Sequence, residues 1–414
     1  MAVITPGLQK DIQKYSTKSL NVSECFNCGN CTAICPLSTE EQQFPRYIIR
    51  RAMIGQKEKI ITAENMWLCA YCNECSETCP RDANPGEFVQ ATRKWALSQF
   101  DPSGISRLLL TSSLGLFLGL LFAALLVVAF VSAFGDFSVV TNDRPIQILQ
   151  FIEKLPIEII GIIFGVLFFV GIGLQVFNQF RMFGKNHNSS FWAGLKQAWK
   201  TRGKDHSDNT YYHLLFSPFI MLKVFFRTLI FDSMLQTIHR ECETEQTKPL
   251  VRSRWFMHML VLWGFGLLLV ATAFNMVWPY LDSSRDSIEN TVSVFFFSRF
   301  VGILGGLLLM AGVSIQLVAR LRKRDKYTEK STLEDWLFLV LLWLVGFTGF
   351  VITVSFYVSE IPALIAYYGF ILHLIVVIQF FLLGLFGKLA HAWLRPTALW
   401  FIRGLEERAK KLNG

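Results

Sequence analysis

The chain has 414 residues, 52% of them hydrophobic and 38 of them Phe, with a formal net charge of +9. That apolar content excludes an intrinsically disordered chain and is high for a water-soluble one. The positive charge lies mostly in loops between apolar runs, so it marks membrane topology rather than a nucleic-acid surface.

Residues 1–24 carry no apolar run of the length a secretory leader needs. "CFNCGNCTAICP", residues 25–36, then sets four cysteines at C-x2-C-x2-C-x3-C and closes on proline. "CAYCNECSETCP", residues 69–80, repeats the spacing and the proline. A disulfide framework needs an oxidising compartment, and a zinc site would use paired C-x2-C units. Neither explains this run, which is the sequence form of a [4Fe–4S] ligand set whose fourth cysteine serves the other cluster. The expected sets are therefore Cys25, Cys28, Cys31 and Cys79 for one cluster, and Cys69, Cys72, Cys75 and Cys35 for the second. Phe26, Ala70 and Tyr71 stand between ligands and are expected to shield the clusters from water. Cys242 has no partner motif and reads as an ordinary thiol.

Pro45 predicts the start of a helix through "RYIIRRAMIGQ", with Gly55 as its stop. "PGEFVQATRKWALSQF", residues 85–100, predicts another, with Phe88, Ala91, Trp95 and Leu97 on its apolar face. Strand signals are weak. The fold class read here is all-α: a cytoplasmic di-[4Fe–4S] ferredoxin domain over residues 1–104, helical between its clusters, then a transmembrane domain over residues 105–414.

A bilayer needs roughly 20 apolar residues per helix. Six runs qualify, at about 108–135, 159–180, 255–281, 292–319, 336–359 and 361–389, with Arg299 able to snorkel from the fourth. Six spans place both termini on one side. Lys and Arg number 12, 6 and 6 in residues 181–254, 320–335 and 388–414, against 2 and 2 in residues 136–158 and 282–299. The positive-inside rule then makes this a multi-pass protein of the cytoplasmic (inner) membrane, with both termini and the cluster domain in the cytoplasm. "YYHLLFSPFIMLKVFFRTLIF", residues 211–231, carries Lys223, Arg227 and Pro218 and reads as an interfacial helix rather than a span.

Of the seven histidines, His187 and His206 sit in a polar loop. His258, His373 and His391 lie on the spans or at their ends, where a histidine is by default a functional hypothesis. His373 and His391 are 18 residues apart; on one helix they face the same way about 27 Å apart, which suits two stacked haems. His258 follows Arg254 by four residues and His391 follows Lys388 by three, so both stand at the cytoplasmic edge. These two can ligate one b haem from opposite sides, with Gly264, Gly384 and Gly387 leaving room for the macrocycle. A pairing of His258 with His373 is also open, and His213 and His239 are further candidates for a second haem.

The double cysteine motif with its helical linker resembles the HdrC subunits of heterodisulfide reductase, which are α-helical ferredoxins. "RWFMHMLVLWGFGLLLVAT", residues 254–272, with "HLIVVIQFFLLGLFGKLAH", residues 373–391, resembles cytochrome b subunits of the HdrE and nitrate-reductase gamma type. That type carries a second histidine ten residues beyond the one at 258, where this chain has Leu268. Fused in one polypeptide, the two parts resemble the membrane subunits of quinone-interacting membrane-bound oxidoreductases. The resemblance implies electron exchange between menaquinone and HdrA-like flavoproteins of the QmoA and QmoB type, with adenylylsulfate (APS) reductase as the eventual partner in dissimilatory sulfur metabolism.

An alternative is a subunit of another reductase, of the heterodisulfide or sulfite type, with the same wire. A membrane redox sensor would carry an output domain, whereas the 27 residues after Gly387 form a basic, amphipathic tail. The spans hold almost no carboxylates for a transporter's proton relay. No nucleophile triad, Walker loop or Rossmann fingerprint is present, so no catalytic residue is assigned and the chain is expected to act as a subunit of an oxidoreductase complex.

Overall fold

The computed structural model describes residues 4–16, 20–40, 43–144, 146, 148–152, 154–186, 218–236, 253–281, 297–324, 328 and 331–413. The helices of the amino-terminal part are short: α1 (Leu8–Gln13), α2 (Asn30–Ala33), α3 (Arg46–Met53), α4 (Lys57–Ile61), α5 (Asn65–Leu68), α6 (Glu74–Glu77), α7 (Pro85–Phe100) and α8 (Ile105–Thr111). Then come α9 (Ser113–Phe134), α10 (Ile148–Phe151), α11 (Lys154–Asn186) and α12 (Pro218–Arg227). The series closes with α13 (Arg254–Leu281), α14 (Phe297–Leu321), α15 (Leu333–Tyr357), α16 (Ala363–Phe386) and α17 (His391–Asn413). Among the described residues there is no strand, only an isolated bridge between Gly135 and Ile152. The protein is all-α.

By internal contacts the chain divides into two compact units. One is Met1–Leu116 with Phe168–Thr244 and Gly384–Gly414; the other is Phe117–Leu167 with Glu245–Leu383. The change of composition near residue 104 marks where apolar runs begin. The packing groups differently, because the second half of α11 and all of α17 share the core of the amino-terminal helices.

That first core is built on α7. Pro85 occupies the first helical turn, where its missing N–H costs nothing. Phe88, Ala91, Trp95 and Leu97 are all buried, as the periodicity predicts. Val89, Ala96 and Phe100 are buried too, so α7 is covered on more than one face. Ile12, Ile48, Ile60, Met66 and Trp67 pack with it, and Phe183, Leu394, Ala398 and Phe401 complete the cluster from α11 and α17. Each such side chain contributes about 1.5–3 kcal/mol by leaving water. α3 runs from Arg46, and Gly55 stops it at φ 76°, a conformation open to glycine.

The described part of the 211–231 stretch forms α12 and a π-helical turn over Thr228–Met234. With ten residues α12 is too short to span. It is tied to α17 instead: Arg403 donates to both oxygens of the buried Asp232 carboxylate, at 2.6 and 2.9 Å.

Among the described residues six helices are long and apolar enough to cross a membrane: Ser113–Phe134, Ile159–Phe183, Arg254–Asn275, Phe297–Leu321, Leu333–Tyr357 and Ala363–Phe386. The first starts later than the run at 108 because Ser112 is extended, φ −131° and ψ 118°, and separates α8 from α9. The start expected at residue 292 lies outside the described residues.

In the second unit, α13 and α14 pack through glycines. A Cβ on Gly264 would lie 2.5 Å from the Leu309 nitrogen, and one on Gly305 would lie 2.9 Å from the Gly264 oxygen. Gly264 was expected to leave room for a macrocycle. It leaves none: the backbone of α14 fills that space, as small residues allow between spans. Arg299 keeps its guanidinium 5.5 Å from the centre of the Phe356 ring. Arg144 donates to the carbonyl oxygens of Val358 and Ile361, at 2.6 and 2.8 Å, beyond the end of α15.

Candidate metal centres

The two cysteine runs fold alike because their backbones coil alike. In each, the second residue after the first cysteine is left-handed: Asn27 at φ 68° and Tyr71 at φ 55°. So is the residue after the second cysteine: Gly29 at φ 95° and Asn73 at φ 71°. Each left-handed residue then opens a single helical turn, α2 with Cys31 and α6 with Cys75. In the first run this coiling sets Cys25, Cys28 and Cys31 around one cavity.

The fourth cysteine comes from the other run. One cavity is lined by Cys25, Cys28, Cys31 and Cys79, with Asn27, Gly29, Arg46, Ile49 and Pro80 among its walls. Burial pushes the Cys31 thiol above its ordinary pKa, and the facing charges of Cys25, Cys28 and Cys79 push the same way. Burial also raises Cys75, and there the facing charges belong to Cys69, Cys72 and Cys35, with Cys31 behind them. The structure thus gathers Cys25, Cys28, Cys31 and Cys79 around one cavity, and it keeps Cys69, Cys72 and Cys35 within electrostatic reach of Cys75.

The donor chemistry matches an iron–sulfur cube. Four inward thiolates repel one another unless a cationic core lies between them. Cys25, Cys28, Cys31 and Cys79 surround a space, as a cube with one thiolate per iron requires. The Tyr71 N–H donates to Cys69 Sγ at 3.4 Å, a contact of the kind that tunes cluster potentials. Asn73 is 1% exposed, and neither amide atom of its side chain has a hydrogen-bond partner among the described residues. A sulfide-rich group beside it would accept from Nδ2.

Phe26, expected as a shield, is 62% exposed and lies on the surface; Ala70 and Tyr71 are partly buried. Cys242, His187, His206, His213 and His239 lie outside the described residues.

Of the membrane histidines, His373 sits in α16 and His391 opens α17. The single helix expected to carry both does not form. Gly387, at φ −139° and ψ −134°, breaks it, and a 3-10 turn over Lys388–Ala390 follows. A hydropathy window does not register one residue's backbone angles, so the 27 Å stacking argument fails. The break is held from α11: Gln175 donates to the Leu385 oxygen at 2.8 Å, Gln179 donates to the Leu394 oxygen at 3.0 Å, and Trp393 donates to Gln175 Oε1 at 2.9 Å. Gly384, expected to leave room for the macrocycle, faces Leu389 instead: a Cβ there would lie 3.0 Å from Leu389 Cδ2.

His391 and His373 have their tautomers set by a neighbour. His391 Nδ1 lies 2.6 Å from the Lys388 carbonyl oxygen, which can only accept. The proton is therefore on Nδ1 and the lone pair on Nε2. Part of His391 is exposed, yet the protein around its ring lowers the pKa to about 4, chiefly through burial, so the imidazole is neutral. His373 Nδ1 lies 2.7 Å from Thr348 Oγ1, whose own proton goes to the Leu344 oxygen at 2.6 Å. His373 likewise keeps its lone pair on Nε2. Gly349 packs beside that ring: a Cβ there would stand 3.5 Å from it, an ordinary contact. His258 is partly buried on α13.

Sequence reasoning missed Arg93 and Arg395, which hold the segment entering Cys69. It also missed Gly86: a Cβ there would meet Asn73 Oδ1 at 2.8 Å and Cys75 Sγ at 3.4 Å. The cysteine spacing says nothing of them, although a glycine after Pro85 is a usable hint of a close approach.

Residues 21–83 match the family described as "4Fe-4S dicluster domain". Residues 226–413 match the family described as "Citrate utilization protein B". Over 72 residues the chain is 39% identical to the HdrC subunit of the H(2):CoB-CoM heterodisulfide,ferredoxin reductase of Methanothermobacter marburgensis, covering 17% of this chain and 39% of that one. It is 33% identical over 82 residues to the HdrC subunit of the Ferredoxin:CoB-CoM heterodisulfide reductase of Methanosarcina acetivorans, covering 20% and 33%. An HdrC-like protein of Archaeoglobus profundus is 30% identical over 77 residues, covering 18% and 41%. The chain thus spans about a third to two fifths of the length of these relatives. No solved structure matches. Together these findings describe an HdrC-like, [4Fe–4S]-binding ferredoxin domain joined to a region of membrane-capable helices.

Proposed function

We propose that the chain is the membrane electron-transfer subunit of a quinone-interacting oxidoreductase, moving electrons between menaquinone and a cytoplasmic flavin/iron–sulfur partner of the HdrA type. The observation that carries the reading is the crossed pair of cysteine sets, packed in one core with the end of one candidate span and with the helix that begins at His391. Cys25, Cys28, Cys31 and Cys79 hold one [4Fe–4S] cluster, and Cys69, Cys72, Cys75 and Cys35 hold the second. A b haem takes its axial nitrogens from among His258, His373 and His391. His213 and His239 remain candidates for a second haem. These groups supply one-electron chemistry; the chain holds them, fixes the imidazole tautomers and excludes water.

Charge supports the orientation. The Lys- and Arg-rich loops put both termini and the ferredoxin domain in the cytoplasm, where a soluble partner can reach it. By the resemblance, that partner passes electrons to APS reductase. The relatives' names favour a second reading, a subunit of a heterodisulfide-type reductase that uses the same clusters.

The test is reduction of the iron–sulfur signals by menaquinol in membranes. Menaquinol should reduce them in the native chain and should fail in a histidine variant that has lost its haem. Reduction by dithionite but not by menaquinol would remove the quinone from the reading. A reporter that fluoresces only in the cytoplasm should light up at either terminus; a dark carboxy terminus alone would mean that the spans are miscounted, and two dark termini would reverse the topology.

A further inference from the structure

The two cysteine sets have unlike surroundings. The second is entered by the segment from Met66 to Cys69, and two guanidinium groups clamp its carbonyl oxygens. From α7, Arg93 Nε donates to the Met66 oxygen at 2.9 Å, and its Nη2 donates to the oxygen of the ligand Cys69 itself. From α17, Arg395 Nη2 donates to the Leu68 oxygen at 3.1 Å. Both arginines are partly buried, so water screens their charges incompletely. Arg395 stands one turn after His391 on α17. The first set opens differently. Its cavity holds Arg46, Cys28 in its wall is exposed, and Phe26 beside it is 62% exposed.

We propose that Arg93 and Arg395 make the second set, Cys69, Cys72, Cys75 and Cys35, the end of the wire nearest His391, by raising the reduction potential of the cluster it holds. The inference rests on the two-cluster reading above. Reduction adds one electron and hence one negative charge to a cluster, and a fixed cation nearby stabilises that added charge; net charge and hydrogen bonding are the protein's levers on cluster potential. The arginines also satisfy the carbonyl oxygens at 66, 68 and 69. The Tyr71 N–H is left to face Cys69 Sγ. Arg395 is a positioning residue: it touches backbone, not the metal, and it joins a cysteine loop to a helix 327 positions further along the chain. The first set, open to solvent, is then the end that meets the soluble partner.

The experiment is a potentiometric titration followed by EPR on the full-length protein in detergent, with iron measured on each sample. Cys72→Ser and Cys28→Ser, which each remove one set, identify which signal belongs to which cluster. Arg395→Gln and Arg93→Gln should each move the second-set midpoint to lower potential at unchanged iron content and leave the first-set midpoint in place. Arg395→Lys keeps the charge and should return the midpoint towards the native value. Arg46→Gln should move only the first-set midpoint. Should Arg93→Gln fail to fold, Arg395→Gln decides alone. The proposal is overturned if Arg395→Gln leaves the second-set midpoint where it was, or shifts the first-set midpoint instead. A native chain that binds no iron would instead remove the cluster reading itself.

Discussion

The ferredoxin helices and the spans treat the same side chain in opposite ways. Phe88 and Phe100 on α7 are fully buried, whereas Phe169 on α11 is 71% exposed and Leu307 on α14 is 55% exposed. The difference lies in the solvent each is built for. In water an apolar side chain stabilises only by being covered, so α7 is wrapped by its neighbours. In a bilayer the lipid does the covering, and spans associate through close packing and hydrogen bonds instead. Gly264 against α14 and Gln175 against the break at Gly387 are the outcome. The two regions should therefore fail in different ways when altered.

The largest effect should come from one sulfur. Cys79→Ser should lower the iron content from about eight to about four per chain, since two [4Fe–4S] sets hold four irons each. The cluster lost should be that of Cys25, Cys28 and Cys31, although Cys79 lies in the other run. Iron and acid-labile sulfide analysis measures this, and a native chain rich in zinc without iron–sulfur absorbance would refute it. The spans should be untouched, with the haem spectrum unchanged.

The reverse experiment alters the membrane region alone. Among His258→Ala, His373→Ala and His391→Ala, the two that supply one haem's axial ligands should abolish the same α-band component in reduced-minus-oxidised difference spectra, with the iron–sulfur signals intact. Normal haem in all three variants would end the cytochrome reading.

Stability offers a finer contrast. Replacing Asp232 by Asn breaks a buried ion pair with Arg403, and losing one partner of such a pair costs about 3–5 kcal/mol. Thermal unfolding in detergent should show the amino-terminal unit loosening. Gly264→Ala places a methyl group against the backbone of α14, and overpacking of this kind costs about 1–3 kcal/mol; it should lower the melting temperature without loss of iron. The smallest effect belongs to Lys14→Ala. Its pair with Asp11 is exposed on both sides, and such pairs contribute about 0–1 kcal/mol. A large shift there would mean that the surface of the ferredoxin domain is covered by a partner.

Much of this was written in local pattern. Cysteine spacing is a covalent fact of the chain, and crossing the fourth ligand follows from how such sets close. Span length follows from bilayer thickness, so runs of apolar residues located six helices to within a few residues. α7 declared itself through Pro85 and its periodic Phe88, Ala91 and Trp95. Other features depended on partners far along the chain. Gly264 reads equally well as room for a ring or as a contact surface, and only the presence of Leu309 opposite decides for contact. Gly387 was visible as a glycine, but helices tolerate glycine at about 1 kcal/mol. What made it a break was the set of amide side chains on α11 able to hold the carbonyls at 385 and 394. Arg395 read as one more basic residue of a tail until folding laid it on the carbonyl of Leu68. Sequence alone determined where the paired cysteine runs lie and how many of the described helices can span, because spacing, length and hydropathy are properties of neighbours. Tertiary structure alone decided where the helix after α16 breaks and that Arg395 reaches the carbonyl before Cys69, because those energies arise between residues that the chain separates by hundreds of positions.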